Sequence, residues 1–155
     1  MAVQDHAERA RELFESGCNC PQSVVLAFAD VLEQEGLEPT TVARLASPFG
    51  GGMGRLREVC GAMSGMLMVL GLLEGYDDPQ AYDVKKELYA TVQELAGKFK
   101  GENGSYLCRE LLGLEEGPDV SVPEVRTEAY YERRPCADIV AAAAGILEEH
   151  LNGRE

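Results

Sequence analysis

Basic charge is scarce in this 155-residue chain: 14 Lys and Arg stand against 27 Asp and Glu, a formal net charge of −13. A surface of that sign repels phosphate backbones and anionic lipid, so nucleic acid and membrane are poor partners. No apolar run approaches the roughly 20 residues a membrane-spanning helix needs; the longest candidate, Ala62 to Leu73, is broken by Ser64, Gly65 and Gly71. Histidine is limited to His6 and His150, and no Cys-x-x-Cys-His is present, so covalent haem is not expected. No carboxylate pair, Ser–His–Asp set or histidine cluster points to a substrate. Strand-like alternation is also missing, apart from a hint at Val120-Ser121-Val122. The opening residues, Met1-Ala-Val-Gln-Asp-His, lack the basic and apolar regions of a signal peptide. A cytoplasmic location is expected, where thiols stay reduced.

What the chain does have is helical periodicity and 45% hydrophobic residues, enough for one domain over residues 1–155 with a core of its own. Ala7, Ala10, Leu13 and Phe14 repeat at helical spacing from Asp5 to Glu15, and Ser16-Gly17 stops that helix. Pro21 suits the first position of a second helix, with Cys20 as its cap and an apolar stripe running to about Gln34. A short helix is expected from about Thr41 to Ala46. Residues 59–72 are apolar almost all round, which places that helix at the centre of the domain. Asp78-Pro79 predicts a further helix to about Lys100, with Tyr82, Leu88, Tyr89, Val92, Leu95, Ala96 and Phe99 facing the core. Ser105 caps a short helix from Tyr106 to Leu112, and Pro135 opens the last one, which ends near Leu151. Between them, Gly113 to Arg134 reads as an irregular segment, and a loop that long often covers something. The expected fold is all-α: a single-domain bundle of about five or six helices.

Four of the five cysteines, Cys20, Cys60, Cys108 and Cys136, fall where helices are expected to begin. A helix start offers unpaired N–H groups and partial positive charge, which favour thiolate over thiol. Arginines lie close by: Arg55 and Arg57 before Cys60, Arg109 after Cys108, Arg133 and Arg134 before Cys136. Glu58, Glu110, Glu132 and Asp138 are equally near, so the sequence leaves the sign of the local field open. The wide separation of the cysteines differs from the paired Cys-x-x-Cys of a zinc finger and fits a site assembled by the tertiary fold. Gly50-Gly51-Gly52-Met53-Gly54 is either a flexible connector or a loop whose N–H groups approach that site, Gly52 among them. Without a following Gly-Lys-Ser/Thr it is not a nucleotide loop. Gly61 and Gly65, one turn apart, allow a backbone or ligand to come close.

Taken together, Gly17-x-Asn19-Cys20-x-Gln22-Ser23-Val24, Phe49-Gly-Gly-Gly-Met-Gly-Arg55, Cys60-Gly61-Ala62-x-x-Gly65, Cys108-Arg109-x-Leu111-Leu112 and Cys136 resemble the C-GCAxxG-C-C family, over about residue 10 to residue 148. That family is defined by four cysteines and the Cys-Gly-Ala-x-x-Gly motif. The resemblance implies redox activity, through a bound iron–sulfur cluster or another metal ion. A related domain occurs in c-type cytochromes, from which this chain departs by lacking the haem motif. Cys18 does not match the four; it is either a tolerated extra cysteine or a resolving thiol for Cys20, although a Cys-x-Cys ring is strained.

Two mechanisms follow. In the first, Cys20, Cys60, Cys108 and Cys136 ligate a metal centre, with Arg55 as a hydrogen-bond donor toward it. The protein is then an electron carrier or redox sensor rather than a stand-alone enzyme, working with a redox partner protein; a homo-oligomer is compatible with the sequence. In the second, a pair such as Cys20 and Cys60 cycles between dithiol and disulfide. A helical module whose cysteines merely pack is the third, bland reading.

Overall fold

A computed structural model describes residues 5–153; Met1 to Gln4 and the last two residues of the expected domain lie outside the described residues. Within it are nine helices and no strand. They are α1 (His6–Glu15), α2 (Cys20–Ala27), α3 (Ala29–Gln34), α4 (Pro39–Ala46), α5 (Gly61–Glu74), α6 (Tyr82–Asn103), α7 (Cys108–Leu111), α8 (Glu128–Arg133) and α9 (Cys136–Asn152). A 3-10 turn at Ser47–Phe49 and a glycine turn at Gly50–Met53 join α4 to α5. The all-α expectation holds, and α1, α2, α4, α5, α6 and α9 carry the bundle. Its centre is the antiparallel packing of α9 on α1 and the packing of α2 on α5 with their N-terminal ends together, with α9 also touching α2, α5 and α6. Phe14, Phe28, Leu32, Met66, Leu70, Leu95, Phe99, Val140 and Leu147 are fully buried between them.

The second helix breaks at Phe28, whose φ of −102° and ψ of 28° separate α2 from α3. The Phe28 ring is fully buried and stacks on His6 at 4.1 Å. The His6 imidazole is in turn held between Glu148 and Asp30, ring nitrogen to carboxylate oxygen at 2.7 and 3.1 Å. Asp78-Pro79 does not open α6. The Asp78 carboxylate instead accepts from the Gln80 N–H at 2.9 Å in a tight turn, and the helix begins at Tyr82. Leu95 and Phe99 of α6 are buried and Leu88, Val92 and Ala96 pack against the core as expected, whereas Tyr82 and Tyr89, also expected there, are 71% and 52% exposed. Val120-Ser121-Val122 forms no strand, and the 113–134 segment contains the short helix α8.

Helix α5 is buried along its N-terminal part and exposed at Leu72. The close approach anticipated at Gly61 and Gly65 is made by α2. A Cβ on Gly65 would come within 2.8 Å of the Pro21 carbonyl oxygen, and one on Gly61 within 2.6 Å of the Pro21 ring. Gly71, further along the same helix, has open space where a Cβ would stand. Gly65→Ala should therefore destabilise the protein by about 1–3 kcal/mol through overpacking. Gly71→Ala should stabilise it by about 0.5–1 kcal/mol through helix propensity. Urea midpoints of the two variants against the parent check both signs.

Candidate four-cysteine centre

Each of the four cysteines is set by a helix start. Asn19, not Cys20, caps α2: it exchanges hydrogen bonds with Gln22, at 3.0 Å from the Gln22 N–H and 3.2 Å back to the Gln22 side chain. Cys20 is thus the first helical residue. Asn is the better cap because its side-chain oxygen reaches the N–H groups of the first turn. Cys60 is the cap residue of α5, and Cys108 opens α7. An antiparallel bridge between Val59 and Leu107 brings these two helix starts together. Across it the Cys60 N–H donates to the Tyr106 carbonyl at 2.8 Å, and the Cys108 N–H to that of Glu58 at 2.6 Å. Cys136 opens α9 directly after Pro135. All four side chains line one cavity of about 70 Å³. Phe14, Tyr130 and Ile139 make its apolar wall; Arg57, Arg126 and Arg134 make its charged wall.

Burial outweighs the helix starts in setting the charge of the sulfurs. Loss of hydration pushes the Cys60 thiol up to about 12, although the N–H groups of Ala62 and Met63 pull the other way. Burial likewise raises Cys108, against the opposing hydrogen bond from Arg57. Cys20 is raised well above its ordinary range, first because it donates to Cys136 and then because it is buried. Cys136 alone is lowered: it accepts the Cys20 S–H, and Arg134, Arg126 and Arg57 face it. In the reduced, metal-free site Cys136 is the sulfur most disposed to ionise, and the other three are held toward the neutral thiol. In the metal-free protein the helix starts do not by themselves favour thiolate at Cys20, Cys60 and Cys108, because a helix terminus contributes only about 0.3–1 kcal/mol while burial shifts a thiol much further.

The glycine run is an ordered turn of unusual hand. Five successive residues, Gly51, Gly52, Met53, Gly54 and Arg55, have φ between 61° and 72°, and Arg57 follows at 63°. For the three that carry side chains this conformation costs about 1–2 kcal/mol each. Gly52 is buried against the site: a Cβ there would lie 2.6 Å from the Cys108 Cβ and 2.7 Å from the Glu58 nitrogen. The turn delivers Arg57 to the sulfurs. Its guanidinium is 3% exposed, donates to the Cys108 sulfur at 3.5 Å and to Asp119 at 3.1 Å, and leaves its Nε–H without a partner.

Arg55, the arginine singled out from sequence, faces elsewhere. It donates to the Val120 carbonyl at 2.7 Å and to Asp119 at 3.1 Å, and does not line the cysteine cavity. Cys18 also lies off that cavity; its carbonyl accepts from Arg126 at 3.0 Å. The hydrogen-bonded thiol pair is Cys20–Cys136 rather than Cys20–Cys60. Arg126 and Arg134 come from the 113–134 segment, and length alone hinted that this segment covers something. Both guanidinium groups lie over the Tyr130 ring, 5.2 Å from its centroid.

Among the described residues, no three His, Cys, Asp or Glu side chains are grouped so as to hold a metal ion as they stand. The donor set itself suits a thiolate-bound centre: four sulfurs, no competing carboxylate on the walls, and three arginines opposite. The unpartnered Arg57 Nε–H adds a buried donor that an anionic group would satisfy.

Fold and site together define a helical domain that encloses four cysteines in one arginine-flanked cavity. The chain belongs to the C_GCAxxG_C_C family, described as "Putative redox-active protein", whose model matches residues 18–150. No curated protein and no solved structure matches it significantly.

In the reduced, metal-free protein, alkylation of Cys136 by iodoacetamide should show a pH midpoint below the ~8.5 of free cysteine. Arg134→Gln should move that midpoint upward, with rates followed by mass spectrometry. Cys60 should stay unreactive far above that pH. Because Cys60 is held neutral only in the folded state, its contribution to stability is complete below its unfolded value and disappears as pH rises toward 12. Stability in urea should therefore fall above about pH 9, by up to ~1.4 kcal/mol per pH unit from this group.

Proposed function

We propose that the protein is a redox carrier or sensor whose four cysteines, Cys20, Cys60, Cys108 and Cys136, hold an iron–sulfur cluster. The observation that carries this reading is the convergence of four sulfurs from four separate helix starts on one cavity. Two cysteines suffice for a disulfide, and a cysteine that merely packs needs no arginine. The ligands of one ion all lie within a bond length of it, about 2.3 Å for zinc and sulfur, whereas those of a cluster are spread over several irons. Four cysteines around one cavity fit the second case. So does the cavity, at several times the roughly 10–15 Å³ that one water requires.

When bound, such a cluster accepts and releases single electrons. The chain's residues supply the rest. Cys20, Cys60 and Cys108 lose their protons on ligation, and Arg57, Arg126 and Arg134 compensate the accumulated negative charge. Phe14, Tyr130 and Ile139 exclude water from one side, and the Arg57 donor holds the Cys108 sulfur. Hydrogen bonding to ligand sulfur and the low local dielectric both bear on the potential. No histidine lines the cavity, which supports an all-sulfur ligand set.

The Cys20–Cys136 hydrogen bond favours a second reading, thiol–disulfide exchange. The Cys136 thiolate would attack a partner disulfide and release one partner thiolate. Cys20, losing its proton, would then attack the mixed disulfide at Cys136 and release the other. Cys60 and Cys108 have no part in that sequence, which is why the cluster is preferred.

Protein purified and reconstituted without oxygen should absorb in the visible and carry stoichiometric iron and sulfide. Cys108→Ala should abolish both, while Cys18→Ala should leave both unchanged. Colourless wild-type protein free of iron, with a Cys20–Cys136 disulfide forming on oxidation, would establish the exchange reading instead.

A further inference from the structure

The glycine turn has a second side. Beyond the cysteine cavity it borders a groove of about 270 Å³, and the two share Gly51, Arg57, Arg126, Tyr130 and Arg134 in their walls. In a chain of net charge −13, this groove gathers Arg55, Arg57, Arg126 and Arg134. Two carboxylates face them: Glu124, paired with Arg134 at 3.1 Å and with Arg133, and Asp119, which bridges Arg55 and Arg57 at 3.1 Å each. Positive charge remains in excess. Arg126 has no carboxylate partner among the described residues; it donates to the carbonyls of Phe14 and Cys18 and lies 4.3 Å from the Phe14 ring centroid. Arg57 is buried with its Nε–H unpaired.

We propose that this groove binds a small oxyanion, a dianion of the sulfate or phosphate type, held by Arg57, Arg126 and Arg134 against the wall shared with the cysteines. Guanidinium groups present forked donors that match the oxygens of such an anion, and their charge strengthens each hydrogen bond. The anion supplies an acceptor for the unpaired Arg57 Nε–H and an oxyanion partner for Arg126, which has no carboxylate among the described residues. The left-handed backbone at Arg55 and Arg57 fits the same purpose, since strain of this kind persists where a fixed side-chain placement is used. Nothing in the site requires the cysteines to hold a cluster, so it stands apart from the reading above.

The test titrates the purified, reduced, metal-free full-length chain with sulfate and with phosphate, at an ionic strength held constant with chloride. Calorimetry and thermal unfolding are the readouts. Saturable binding of one dianion per chain is expected, with no equivalent effect of chloride. Glu124→Gln removes the groove's own carboxylate and frees Arg134, so it should tighten binding about tenfold; Arg126→Gln should weaken it by a similar factor. Tightening on loss of a carboxylate is not produced by a change in folding stability, so the Glu124→Gln arm decides even where Arg126→Gln fails to fold. Three results would each overturn the proposal: no saturable binding by the wild type, an equal effect of chloride, or unchanged affinity in Glu124→Gln. The titration leaves iron loading untouched, so either idea can fail without the other.

Discussion

Taking four thiols out of water at one point is tolerable only while most stay neutral or positive charge faces them, and this chain meets both conditions. Burial and mutual proximity hold Cys20, Cys60 and Cys108 toward the neutral thiol, while the Cys20 hydrogen bond and three arginines favour the thiolate at Cys136. Much of the surrounding structure serves that balance. The Val59–Leu107 bridge brings the helix starts of Cys60 and Cys108 together, and the left-handed turn brings a buried guanidinium to the Cys108 sulfur. The 113–134 segment, irregular by every local signal, supplies the remaining charges.

The same balance accounts for where glycine is required. At Gly52 a side chain would collide with Cys108, and at Gly61 with Pro21, one residue beyond Cys20. These glycines let helix starts crowd together until their first residues share a cavity. Gly65 extends that contact along α2 and α5, which links the packing of the bundle centre to the placement of the sulfurs. A helix pair spaced by ordinary side chains would hold Cys20 and Cys60 further apart.

Much of this was legible in the sequence because the signals were local. Pro21 and Pro135 mark helix starts, so the positions of Cys20 and Cys136 followed within a residue; Ser105 was expected to cap the helix of Cys108, but that helix begins two residues later, at Cys108 itself, with Leu107 as its cap residue. The apolar run after Cys60 identified the central helix. Capping was misplaced at Cys20 because Asn19, one residue earlier, binds the exposed N–H groups better. Asp78-Pro79 misled for a related reason: its carboxylate closes a turn on Gln80 instead of starting a helix. What depends on tertiary structure stayed hidden. Spacing cannot reveal that Tyr82 and Tyr89 stay exposed on α6, or that Arg57 turns inward while Arg55 turns toward Asp119. Nor could the sign of the thiol shifts be read, since it turns on burial that only the fold determines.

The most direct measurement of the central claim is X-ray absorption at the iron edge of protein loaded without oxygen. The account predicts a first shell made of sulfur alone, with iron–iron scattering behind it. A first shell containing nitrogen or oxygen, or iron without an iron neighbour, would contradict a cluster held by the four converging cysteines.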